Sequence, residues 1–197
     1  LILQQLDGHI IGPAILGNST GLSSFWVLFS IVLFGGLWGI LGMIVGVPLF
    51  AVIYDITKKM FDAAKEEGLN MDIRSAYRSY ETQEKNFCND MNSWIDSGYN
   101  PLEAYNLTIQ SVALPGCSEH TTGLSLDIVS ASNDNLDDSQ ENTEEIQWLM
   151  EHCWEYGFIL RYPKDKTDVT GITYEPWHYR YVGETAAKEI TEQGITL

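Results

Sequence analysis

The chain has 197 residues and a formal charge of −16, and this acidic surplus excludes a protein that grips nucleic acid, whose phosphates it would repel. The charge is unevenly placed, because residues 8–54 contain no Lys, Arg, Asp or Glu and the acid belongs to the remainder. Three cysteines, Cys88, Cys117 and Cys153, are too few and too scattered for a disulfide framework or a cysteine-rich metal site.

Residues 1–20 carry Gly8, Pro13, Gly17 and Asn18 and read as a loop or re-entrant lead-in. Residues 25–54 then form an uncharged apolar run, longer than the roughly 20 residues that cross a bilayer. A buried core helix rarely runs so long without a polar face, so one N-terminal transmembrane helix in contact with lipid is expected here. Gly35 and Gly39, then Gly42 and Gly46, stand four apart and offer notches to a helix partner in the membrane. The runs LDGHIIGP at 6–13, ILGNSTGL at 15–22 and GVPLFAVIYD at 46–55 resemble the C-terminal end of the autoinducer-2 exporter-like family of polytopic membrane proteins. Only that family's tail is present, and a tail without the other helices of a pathway does not carry transport with it. The expected division is a membrane segment at 1–56 and a polar domain at 57–197.

Past Lys58 and Lys59, residues 61–68 read as a short helix ended by Gly68, and 71–75 as a strand. Residues 80–97 read as a helix with Phe87, Met91, Trp94 and Ile95 inward, stopped by Gly98, and 102–113 continue in helical style. Residues 130–143 are rich in Asn, Asp, Ser and Glu and lack a glycine-containing calcium loop, which predicts a solvated surface loop. Residues 144–156 form a helix with Ile146, Leu149, Met150 and Cys153 inward. Stretches 158–162, 172–174 and 178–182 read as strands of one antiparallel sheet, and 185–193 as a closing helix. The fold class is therefore α+β, a small antiparallel sheet with packed helices, preceded by the transmembrane helix.

Two short segments carry the chemistry. Residues 118–128 supply His120, a turn at Gly123, and an alternating run with Leu124, Leu126 and Ile128 on one face and Ser125 and Asp127 on the other. That is a half-buried strand with a carboxylate on its polar side. Residues 174–178 supply His178 three positions after Glu175, with Pro176 presenting the pair from a bend. Two neutral imidazoles and the Asp127 carboxylate leave Zn²⁺ with net positive charge and an open fourth position, the pattern of catalytic zinc. Glu175 beside it suits a general base, the alternative being a salt bridge to Arg180 or Arg161. Cys117 has no partner motif for a nucleophile. His9 and His152 match no motif, and Trp177, Tyr179 and Tyr181 are expected in the core, with a place on the cleft wall as the alternative.

The pattern Ser118-x-His120 to Asp127, then Glu175-x-x-His178, together with SAYRSYETQ at 75–83 and YGFILRYP at 156–163, resembles the LAS metallopeptidases. The wording is close to the VanY-type D-alanyl-D-alanine carboxypeptidases, over about residues 61–190. The resemblance implies a hedgehog/D-Ala-D-Ala peptidase-like fold with His120, Asp127 and His178 as zinc ligands and Glu175 as the catalytic base. It implies that Arg78 grips the free carboxylate of a peptide, with Gln83 and Ser118 as neighbouring substrate contacts. The reaction it implies is removal of the C-terminal D-alanine from peptidoglycan stem peptides. Alternatives are an L,D-carboxypeptidase acting on tetrapeptide stems, or a non-catalytic zinc-containing binding module attached to an exporter fragment. Cell-wall substrate places the peptidase on the outer face of a bacterial membrane, whereas Lys58 and Lys59 after the span favour the cytoplasm.

Overall fold

A computed structural model describes residues 22–197. The lead-in expected at 1–20, with His9 and most of the two earlier exporter-like runs, lies outside the described residues. Contacts divide the chain into two units, with the boundary between Lys59 and Met60.

Helix α1 (Ser24–Glu66) carries the apolar run expected as a membrane span. It is broken at Gly39, whose φ of 61° and ψ of −141° lie in a region open essentially to glycine alone. The arms Ser24–Gly36 and Gly39–Glu66 fold back on one another. Trp26 stacks on Phe50 with ring centroids 5.4 Å apart and reaches Tyr54 at 5.8 Å, while Phe29 meets Phe50 at 5.8 Å. Leu22, Val27 and Val47 are buried between the arms. A Cβ at Gly46 would collide with the Phe34 side chain, and one at Gly35 would stand 2.9 Å from Met43. The close approach that the glycine spacing predicts is thus made at these two positions by the chain's own arms. The first arm is about 20 Å long at 1.5 Å per residue, short of the roughly 30 Å of bilayer hydrocarbon. The second, of 28 residues, is long and apolar enough to cross. Phe25, Val32, Ile40, Leu41, Ile44 and Val52 are exposed.

The second unit is built on a four-stranded antiparallel sheet in the order β1-β2-β4-β3, with β1 at Met71–Ser75, β2 at Ser125–Ser130, β3 at Phe158–Leu160 and β4 at His178–Tyr181. Around it lie α2 (Tyr80–Asp96), α3 (Pro101–Thr108), α4 (Glu144–His152), the short α5 (Thr167–Thr170) and α6 (Glu184–Gln193). Each of the first three begins at a side-chain cap. Ser79 accepts from Thr82 N, Asn100 and Glu103 form a reciprocal capping box before Pro101, and Thr143 accepts from Ile146 N. Ile128, Ile146, Leu149, Phe158, Ile159, Tyr179 and Ala187 form the core, each large aliphatic or aromatic side chain contributing about 1.5–3 kcal/mol by burial.

The structure departs from the expected pattern at several places. The helix expected at 61–68 is the end of α1, because no breaker separates it from the apolar run. Leu69 N donates to Ala64 O to close that end, and Gly68 takes a φ of 86°. Ile95 is exposed, not inward. Residues 172–174 are not a sheet strand, since Thr173 N and Oγ1 both donate to Gln110 O, at 2.8 and 3.0 Å, and hold that stretch beside the end of α3. Strand β2 is covered on both faces, so its polar residues Ser125 and Asp127 are as buried as Ile128. The acidic loop after β2 is organised from within. Gln140 is fully buried, accepts from Ser130 N at 3.1 Å and donates to the carbonyls of Asn133 and Asn135 at 2.6 and 2.7 Å.

Two outcomes follow from this architecture. Replacing Gln140 with Ala removes its hydrogen bonds to three backbone groups, the buried Ser130 N–H among them, and destabilises the domain by about 2–4 kcal/mol in urea unfolding. Spin labels at Ser24 and Ile56, in a chain whose cysteines are replaced by Ser, will lie within about 20 Å of each other, whereas an unbroken helix would separate them by roughly 50 Å.

Candidate metal centre and cleft

The register of β2 against β4 sets Asp127 opposite His178 and Ser125 opposite Arg180. Because side chains alternate along a strand, these two cross-strand pairs sit side by side on one face of the sheet. His120 reaches the same face from a single 3₁₀ turn, Glu119–Thr122, which Gly123 ends in the left-handed region at φ 71°. The turn is tied to the segment after β1 in both directions. Arg78 N donates to His120 O at 3.2 Å, and His120 Nδ1 lies 2.6 Å from Ala76 O. A carbonyl only accepts, so Nδ1 carries the proton and Nε2 is left to face the centre.

There the three side chains converge, offering ligand atoms that all lie within 4.8 Å of one another. His120 Nε2 stands 3.2 Å from Asp127 Oδ2, and His178 Nδ1 stands 3.0 Å from Asp127 Oδ1. Imidazole lone pairs do not face a carboxylate at such distances unless a cation, proton or metal, lies between them. The donor set therefore fits a divalent ion held by two nitrogens and one oxygen. Burial pushes the Asp127 carboxyl up, but when His120 and His178 carry protons toward it their hydrogen bonds outweigh burial and hold the group at about 2. Burial likewise lowers His178, and Asp127 and Glu119 overcome it to raise the imidazole to about 9.

The triad lies on the wall of a cleft of about 350 Å³ that is also lined by Arg78, Gln83, Ser118, Glu175, Tyr162 and Trp177. All seven site residues expected from the sequence are thus brought together. Glu175 Oε2 lies 3.8 Å from His178 Nδ1, and burial pushes its carboxyl up to about 7 against the opposing pull of His178. Arg78 is held by Gln83 Oε1 and Ser75 Oγ, each at 3.0 Å, and its Nη2 stands 3.4 Å from Asp127. Gln83 is in turn fixed by donating to Ala113 O at 2.6 Å. Of the aromatic residues expected in the core, Tyr179 is fully buried and Tyr181 packs on Phe158, but Trp177 lines the cleft. Cys117 is exposed, and His152 pairs with Glu155 at the surface.

One residue at the site was not singled out from the sequence. Glu119 accepts from Arg161 Nε at 2.9 Å and stands 3.6 Å from Arg180 and 3.5 Å from His178 Nε2. Burial pushes its carboxyl up, yet His178 and the two arginines hold it at about 2. Arg161 and Arg180 are therefore engaged by Glu119, which removes the salt bridge considered for Glu175. The available signal was adjacency, since neighbouring residues on a tight turn project to different sides and one of them already carried a metal-ligand pattern.

Against known proteins, the family model described as VanY, D-alanyl-D-alanine carboxypeptidase, matches residues 49–184. The chain belongs to the VanY family. A VanY relative, the D-alanyl-D-alanine carboxypeptidase of Enterococcus faecalis, is 40% identical over 139 residues, 70% of this chain and 50% of that protein. The chain spans about half the length of the first curated relatives it matches. Among solved VanY structures, VanYB in complex with D-alanine-D-alanine superposes with a TM-score of 0.67 at 38% identity, over 73% of this chain and 77% of that one. A VanY variant from a VanB-type resistance cassette in complex with Zn(II) gives a TM-score of 0.66 at 38% identity, over 73% of this chain and 78% of that one. A second model, of AI-2E family transporters, matches residues 1–62. This transporter-like segment, with the apolar helix Gly39–Glu66, associates the chain with a membrane.

If the triad holds the metal, zinc present at 100 times its dissociation constant will stabilise the full chain by about 2.7 kcal/mol. Calorimetry will show that increment for the unaltered chain and none for Asp127→Ala.

Proposed function

We propose that the chain is a zinc-dependent carboxypeptidase that removes the C-terminal D-alanine from peptidoglycan stem peptides. The observation that carries this reading is the meeting of His120, Asp127 and His178 with Glu175 and Arg78 in one cleft of a VanY family domain. His120, Asp127 and His178 would hold the zinc ion. When bound, zinc polarises the scissile carbonyl and makes a bound water acidic enough to attack near neutral pH.

The remaining work falls to the protein's own groups. Glu175 takes a proton from the attacking water and returns it to the departing amine, and a carboxyl at about 7 can do both near neutral pH. Arg78, prevented from swinging by Gln83 and Ser75, presents its guanidinium to the substrate's terminal carboxylate. Ser118, buried on the cleft wall, and Gln83 add polar contacts to the peptide. Trp177 and Tyr162 shield the reacting atoms from bulk water. We assign the membrane segment to residues 1–56 and the catalytic domain to 57–197. Lipid contacts the outward apolar side chains within residues 25–54, and the domain works on the outer membrane face, where its substrate is.

The full chain in detergent, given a pentapeptide stem ending in D-alanyl-D-alanine, will release one D-alanine, and zinc chelation will stop it. Glu175→Gln will keep the zinc and lower kcat by about 10²–10⁴-fold. Arg78→Met will lose about 1.5–3 kcal/mol of substrate binding, read as a higher KM. No release from either the pentapeptide or a tetrapeptide stem would refute the assignment.

A further inference from the structure

The two ring nitrogens of His178 have different neighbours. Nδ1 faces Asp127 and the centre of the triad, while Nε2 is buried, lacks a well-formed hydrogen bond, and has Glu119 Oε2 at 3.5 Å. A neutral imidazole can give a metal one nitrogen only while the other keeps its proton, so the group at the far nitrogen sets which one is given. For His120 that group is the Ala76 carbonyl. For His178 the acid in reach is Glu119.

Glu119 is itself held from its other sides. Arg161 Nε donates to Oε1 at 2.9 Å, Ser125 Oγ donates to Oε2 at 3.3 Å, and Arg180 Nη1 stands 3.6 Å from Oε2. Ser125 and Arg180 are the cross-strand pair next to Asp127 and His178, so one strand register supplies both the donors and their support. The Tyr162 ring lies 4.9 Å from the His178 ring and limits its rotation.

We propose that Glu119 is a positioning residue that keeps the His178 proton on Nε2, so that Nδ1 is aimed at the metal, and that it thereby sets the zinc affinity of the triad. The proposal rests on the metal centre described above and not on the identity of the substrate. Glu119→Gln keeps the shape but cannot satisfy His178 Nε2 and Arg161 with the same charge, and Glu119→Ala removes the acceptor altogether.

The test uses the full chain in detergent. Zinc is titrated against a chromophoric chelator, and both variants are expected to bind it about 10–100-fold more weakly than the unaltered chain. The chain has 4 histidines, so ¹⁵N-histidine labelling reports each imidazole directly. In the zinc-loaded protein, His178 is expected to carry its proton on Nε2 and His120 on Nδ1, independently of any turnover. A His178 proton on Nδ1, or zinc affinities within threefold of the unaltered chain in both variants, would overturn the proposal. An unaltered chain that takes up no zinc would remove the metal centre itself, a distinguishable failure.

Discussion

The second unit depends on one cross-strand pair. Asp127 and His178 come from segments far apart in sequence, and the antiparallel register of β2 and β4 brings them to 3.0 Å. A slip of one residue in either strand would turn that side chain to the opposite face and leave a charged group in the apolar core. The sheet order places these two strands at the centre, with β1 and β3 outside them, so the pair is clamped from both sides. Everything else at the site is hung from this pair: the His120 turn leads into β2, and Glu175 lies one tight turn before β4.

The surrounding charges are arranged so that no acid at the centre stands alone. Asp127, buried, and Glu119, half-buried, are both held at about 2, one by imidazoles and the other by His178 and arginines as well. Glu175 is the exception. Its carboxyl is pushed up to about 7 because no comparable partner offsets its burial. Carboxylates within one cleft are thus separated into charge-holding and proton-carrying groups by what surrounds them, which is how a site divides labour among chemically similar residues.

Much of this was legible in the sequence, because ligand spacing, turn glycines and strand alternation are local signals. His120, Asp127, His178, Glu175, Arg78, Gln83 and Ser118 could be named from the sequence alone. What escaped was set by tertiary partners. Glu119 needed Arg161 and Arg180, which lie more than forty residues away. The polar loop hid Gln140, whose three backbone partners make a folded turn out of a composition that otherwise implies solvation. In the membrane segment, hydropathy measures length but not direction. The reversal at Gly39 is invisible to it, because a glycine among apolar residues is equally compatible with a straight helix.

The Gln140 turn also separates two kinds of change. The Gln140 side chain ties the loop to three backbone groups, and within that loop Leu136 lines the cleft. Leu136 takes no part in that closure, so its side chain can change without removing any of those three bonds. Such a change reshapes one wall of the cleft and leaves the cluster of His120, Asp127 and His178 as it is.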